Sequence, residues 1–98
     1  MTDLIYDEFK EYEFESKVTD GIRHAFMFPN GYGASVVKHK FSYGYEDDLF
    51  ELAVIKNYDD GDYHLCYETP ITDDVLGYLT NDDVLKTLKQ IKELRGEF

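Results

Sequence analysis

Three glycine-ended triplets, Thr19-Asp20-Gly21, Pro29-Asn30-Gly31 and Asp59-Asp60-Gly61, break the first two thirds of this chain into short segments. Pro presets one backbone angle, and Asn-Gly or Asp-Gly accepts the positive φ that tight turns need, so each triplet reads as a reversal of direction. A chain reversed that often has room for strands and hairpins but not for long helices. Residues 11–18 alternate, with Tyr12, Phe14, Ser16 and Val18 on one side and Glu11, Glu13, Glu15 and Lys17 on the other, which predicts a half-buried strand. Residues 22–28 predict a second strand, with Ile22, His24, Phe26 and Phe28 on one face and Arg23, Ala25 and Met27 on the other. The two make a hairpin. Residues 32–38 follow as a third strand, 49–56 as an apolar, β-branched central strand, and 63–68 as the partner in a second hairpin.

Pro70 ends the sheet. Thr72 predicts the cap of a short helix through Leu79, and Thr80 with Asp83 has the spacing of a capping box. From 82 to 94, Val84, Leu85, Leu88, Ile91 and Leu94 fall on one helical stripe. Asp82 and Asp83 stand at the start of that stripe and Lys86, Lys89, Lys92 and Arg95 follow, as the helix dipole favours. A short helix is assigned to the first ten residues, on Leu4, Ile5 and Phe9, while Ile5, Tyr6 and Phe9 also fit an irregular arm. The expected architecture is α+β: an antiparallel sheet of about five strands in a meander, with the C-terminal helix packed on one face. At 98 residues the chain is long enough for one hydrophobic core and too short for two, so residues 1–98 are expected to form a single domain.

The sequence holds 21 acidic and 10 basic residues, a formal charge of −11. Such a field repels phosphate backbones and anionic lipid over roughly a Debye length, ~8 Å at physiological salt. Direct nucleic-acid or membrane binding is therefore not expected, whereas basic proteins would be steered toward it. No apolar run approaches the length of a membrane span, and Met1-Thr2-Asp3 lacks the pattern of a signal peptide. With the lone Cys66, which has no partner for a disulfide or a C-x-x-C site, this gives the expectation of a reducing compartment, the cytoplasm.

No constellation of residues predicts catalysis, a metal or a cofactor. His64 and Cys66 share a strand face and make at most half a metal site. Placing Gly61 at the sixth position of a calcium loop puts Lys56 and Tyr58 where oxygen ligands belong, and Tyr67 at the twelfth. Gly31, Gly33 and Gly44 lack the lysine and helix start of a phosphate loop. Ser35 and His39 are separated by roughly 13 Å along a strand. A small-molecule site would need His24, His64 and Cys66 to converge on one pocket.

Two compositional features remain: nine Tyr with seven Phe, and the clustering of acids. Core and strand packing accounts for most of the aromatics, but Tyr32, Tyr43, Tyr45 and Tyr58 lie in or beside turns, where packing explains less. Tyr next to acids makes a protein-binding surface at low entropic cost. The candidate partner-binding residues are Tyr43, Tyr45, Glu46, Asp47, Asp48, Tyr58, Asp59, Asp60 and Asp62. Acids two apart on a strand repeat at about 7 Å, close to the phosphate spacing of a nucleic-acid strand, so an acidic surface of this kind fits a nucleic-acid groove on another protein.

The segments Phe28-Pro29-Asn30-Gly31-Tyr32-Gly33-Ala34-Ser35-Val36-Val37, Glu51-Leu52-Ala53-Val54 and Thr69-Pro70-Ile71-Thr72-Asp73-Asp74-Val75-Leu76-Gly77-Tyr78-Leu79 resemble those of a family of short, functionally uncharacterised phage and prophage proteins. The similarity covers roughly residues 22–95 and brings no established catalytic residues. It implies a phage accessory protein of the host cytoplasm. By analogy with small acidic phage proteins, it also implies an inhibitor of a nucleic-acid-binding or defence protein. The competing expectation is a homo-oligomeric or virion-associated module using an exposed sheet edge.

Overall fold

In the computed structural model, which describes residues 2–57, 62–66, 69–71 and 75–95, the first two turn triplets reverse the chain as their chemistry favours. Residues 19–21 join β1 (Glu13–Val18) to β2 (Ile22–Met27), and residues 28–31 join β2 to β3 (Tyr32–Lys38). Gly31 supplies the positive φ of +88° and donates its N–H to the Phe28 carbonyl at 3.1 Å. A loop over 39–49 leads to β4 (Phe50–Asn57), which pairs with β5 (Tyr63–Leu65). The third triplet lies outside the described residues. All pairings are antiparallel in the order β1-β2-β3-β4-β5, the meander and the α+β class that the sequence predicts.

The helix α1 (Asn81–Lys92) lies across one face of this sheet. Its Val84, Leu88 and Ile91 join Phe26, Ala34, Val36, Leu52 and Val54 in one buried cluster, closed at its edge by Leu4, Phe9 and Phe28. Both ends of α1 are tied. At its start the Thr80 hydroxyl accepts from the Asp83 N–H at 3.1 Å, and the Asp83 carboxylate accepts from the Thr80 N–H at 3.1 Å, the predicted capping box. Thr80→Ala is expected to cost about 1 kcal/mol in a urea unfolding curve. At its end the Asn30 side-chain amide donates to the carbonyls of Ile91, Lys92 and Leu94 at 2.8, 3.1 and 2.9 Å, while its oxygen accepts from the Tyr32 N–H at 3.0 Å. One turn residue thus fixes the β2–β3 turn and closes the helix. Asn30→Ala is expected to lower stability by about 2 kcal/mol, since several terminal carbonyls lose their donor at once.

The structure corrects the sequence reading in three places. The predicted helix through Leu79 is not formed where it is described: Leu76–Leu79 is a strand, β6, paired with Phe50 and Leu52 of β4, and its proposed cap lies outside the described residues. The pairing has a physical cause. β5 covers only Ile55 to Asn57 of the outer edge of β4, so the other half of that edge needs partners for its backbone groups, and Gly77 is a poor helix residue. Near the chain start the helix is 3-10, over Asp7–Tyr12, and residues 2–6 precede it as a non-helical strap. In β1, a bulge between Glu13 and Glu15 makes Phe14 an extra residue, so the predicted alternation breaks there. Glu13 turns inward, and the half-exposed Phe14 ring meets Tyr63 of β5 at 5.0 Å.

That ring contact joins the first and last strands of the meander, so the sheet is rolled. The row Ala25, Ser35, Ala53 crosses β2 to β4 on the face away from α1, with Gly33 beside it. Small side chains there let the strands coil tightly.

Candidate functional site

Two polar clusters hold the strap, and a third group of residues makes a surface. The first cluster centres on His24, which its position in β2 places on the core face and which is only 2% exposed. Its Nε2 lies 2.7 Å from the Asp3 carboxylate and its Nδ1 lies 2.7 Å from that of Glu13. Both ring nitrogens thus stand at hydrogen-bond distance of a carboxylate, and the ring bridges the strap to β1. The Tyr6 hydroxyl donates to Glu13 at 2.8 Å. Burial, that hydrogen bond and the nearby negative charges push the Tyr6 phenol up to about 12. Burial acts to raise the Asp3 carboxyl, but the His24 and Leu4 hydrogen bonds and the charges of His24 and Lys38 together hold it below its ordinary value. Ser16 Oγ stands 3.3 Å from His24 Nδ1, giving the residue types of a nucleophile, base and acid. Glu13 stands closer to that nitrogen, at 2.7 Å, and the group ties the strap to β1 and β2.

The second cluster centres on Lys38, 1% exposed. Its ammonium donates to the Thr2 carbonyl at 2.8 Å and to Asp48 at 2.9 Å, and sits 3.9 Å from the centre of the Phe50 ring. The Lys38 and Thr2 hydrogen bonds hold the Asp48 carboxyl well below the usual range. The Asn81 side chain completes the strap, accepting from the Ile5 N–H at 2.7 Å and donating to the Ile5 carbonyl at 2.9 Å.

These shifts set a pH dependence. Asp3 and Asp48, with Asp83 lowered by the Thr80 amide, have depressed folded values. Their stabilisation is therefore present above the ordinary 3.8 and lost as pH falls through the folded values. Tyr6 works in the opposite sense: its contribution is present below the ordinary 10.0 and lost as pH rises toward about 12. From these groups Tm is expected to fall as pH drops below the ordinary carboxylate value and again as the Tyr6 phenol ionises; a Tm that held or rose below pH 3.8 would contradict the acid branch.

The surface lies on the loop between β3 and β4 and on β6. Phe41, Tyr43 and Tyr78 are 82, 59 and 61% exposed. Tyr43, Tyr45, Glu46, Asp47 and Tyr78, with Lys40, Ser42 and Gly44, line one open cavity of about 250 Å³. The backbone builds it. Gly44 turns at a φ of +93°, and the Tyr43 N–H is held by Glu51 at 3.1 Å. In β6, Gly77 and Tyr78 stand where β4 offers one residue between Phe50 and Leu52, a bulge that re-aims Tyr78. A Cβ at Gly77 would lie 2.5 Å from that of Tyr43, so glycine is what lets the two walls approach. Tyr78 has a φ of +58°, which strains a bulky side chain. Tyr78→Gly is expected to raise stability by roughly 0.5–1 kcal/mol while deleting the ring, as measured by thermal unfolding.

Of the candidate partner-binding residues, the structure brings together Tyr43, Tyr45, Glu46 and Asp47. Asp48 turns to Lys38 instead, and Asp62 is exposed near β5, away from this cavity. Tyr58, Asp59 and Asp60 lie outside the described residues. The reading missed Phe41 and Tyr78, the second because it was placed in a helix. His64 is exposed on β5, whereas His24 and Cys66 are buried, so the three do not face one pocket. Among the described residues no group of three or more His, Cys, Asp or Glu is arranged to hold a metal ion, and no helix is long and apolar enough to cross a membrane. In comparisons with known proteins the chain matches no family model, and no curated protein or solved structure shows significant similarity to it.

Proposed function

We propose that this chain is a non-enzymatic binding protein, and that its working surface is the aromatic and acidic patch formed by the β3–β4 loop and Tyr78. The observation that carries this reading is the exposure of Tyr43 and Tyr78 at one cavity bordered by Glu46 and Asp47, with the exposed Phe41 in the same loop. Aromatic side chains held in water are enriched at protein interfaces, where they become buried anchors. The acids and the net charge of −11 select a basic partner and speed the encounter with it. The resemblance to phage proteins implies a host or phage protein as that partner, and analogy with small acidic phage proteins supports one that handles nucleic acid, with the acidic patch competing for its groove.

The test is salt-graded capture of partners from host-cell lysate by the wild-type chain and by the Glu46→Lys, Asp47→Lys double variant. Asp48 is left intact because its carboxylate neutralises a buried lysine. A basic protein retained by the wild-type chain, released by salt and lost from the variant is the expected result. Equal recovery by both chains would remove the electrostatic reading, and recovery of only this chain itself would favour the homo-oligomeric or virion-associated alternative.

A further inference from the structure

The cavity selects more narrowly than for positive charge. We infer that the space between Tyr43, Tyr45 and Tyr78 receives one arginine side chain of the partner, its guanidinium lying on tyrosine rings and paired with Glu46 or Asp47. This rests on the preceding reading of the surface and names the group that the surface recognises.

The rings themselves carry the argument. Several described aromatics pair ring to ring, Tyr6 with Phe26, Phe9 and Tyr12 with Phe28, and Phe14 with Tyr63, while Tyr32 and Phe50 are buried in the core. Among the described residues, Tyr43, Tyr45 and Tyr78 contact no other ring, although all three line one cavity. Tyr43 and Tyr78 are more than half exposed and Tyr45 more than a third, and the electron-rich face of a tyrosine attracts a cation. Glu46 and Asp47 line the same space and would repel an anion. A neutral apolar ligand would desolvate their carboxylates without pairing them. A cation that is flat enough to stack and forked enough to take a carboxylate by two N–H bonds is a guanidinium; an ammonium meets a ring face or a carboxylate only as a point charge, without the plane or the fork. Lys40 also lines the cavity, but its ammonium sits 5.1 Å from the centre of the Phe41 ring. The chain thus already holds one cation against an aromatic face at the cavity's border.

The experiment is an amide-resonance titration of the intact chain with acetyl-Gly-Arg-Gly-amide, with its lysine analogue, and with its citrulline analogue, which keeps the shape and removes the charge. The arginine peptide is expected to give saturable shifts at residues 42–47 and 77–79 and the citrulline peptide none, with the lysine peptide several-fold weaker. Tyr78→Gly, which suits the backbone at that position, and Glu46→Gln with Asp47→Asn are each expected to weaken arginine binding about tenfold. Equal binding of arginine and citrulline peptides, shifts confined to other parts of the sheet, or no saturable shift would each overturn the inference. The two readings fail separately. An arginine peptide that does not bind, beside partner capture still abolished by charge reversal, removes the arginine pocket alone. A peptide that binds, beside capture indifferent to charge reversal, removes the broader surface reading.

Discussion

His24→Ala is expected to lower stability by about 3–5 kcal/mol, a large share of the roughly 5–15 kcal/mol that holds a domain of this size together. The imidazole is buried between two carboxylates at 2.7 Å each. Removing it leaves Glu13, whose side chain is only 13% exposed, as a partly buried anion with the Tyr6 hydroxyl as its remaining partner. An uncompensated buried charge is the costly outcome of breaking such a pair, and the vacated ring volume adds a cavity term. The strap loses its Asp3 anchor as well. A second substitution separates the causes: Glu13→Gln removes the stranded charge, so the double variant His24→Ala, Glu13→Gln is expected to be more stable than the sum of the single losses implies. Purely additive losses in urea unfolding would show that the cavity, and not the carboxylate, sets the cost.

Gly33→Ala is the second change expected to be severe, at about 3 kcal/mol or more. A Cβ at Gly33 would overlap the carbonyl oxygen of Phe26, and a backbone atom in a paired strand cannot rotate aside as a side chain can. The rolled sheet brings β2 and β3 together at that point, opposite Met27 in the register. Gly31 supplies the contrast. Nothing lies within 4 Å of a Cβ there, but its φ is +88°, so Gly31→Ala is expected to cost only about 1–2 kcal/mol of left-handed backbone strain. Chemical denaturation of the two variants side by side tests the difference, and a milder effect at Gly33 than at Gly31 would mean that the sheet unrolls to admit the methyl group.

Much of this fold was legible because its signals are local. The turn triplets contain their own chemistry, and the capping box of Thr80 and Asp83 needs only a spacing of three. The stripe of Val84, Leu88 and Ile91 is a property of one helix. What was illegible depends on distant residues. A bulge resets the alternation, so Phe14 reads as buried until its partner strand is known. β6 exists because half an edge of β4 lacks partners, which nothing in Leu76-Gly77-Tyr78-Leu79 itself declares. His24 takes its carboxylates from residues 21 and 11 positions away. In the candidate site, Tyr43, Tyr45, Glu46 and Asp47 were readable as aromatics and acids in a glycine-containing loop that core packing does not explain. Asp48 is chemically indistinguishable from Asp47 in the sequence, and only the burial of Lys38 makes it a structural counter-ion. Tyr78 escaped because its exposure follows from a bulge.

Hydrogen exchange of this chain, alone and in complex with the partner that salt-graded capture recovers, tests most directly where binding occurs. Slowed exchange at amides of residues 40–48 and 76–79, with the β1 edge unchanged, is the predicted result. Protection confined to Glu13–Val18, the open edge of the sheet, would contradict it and place the interface on strand pairing instead.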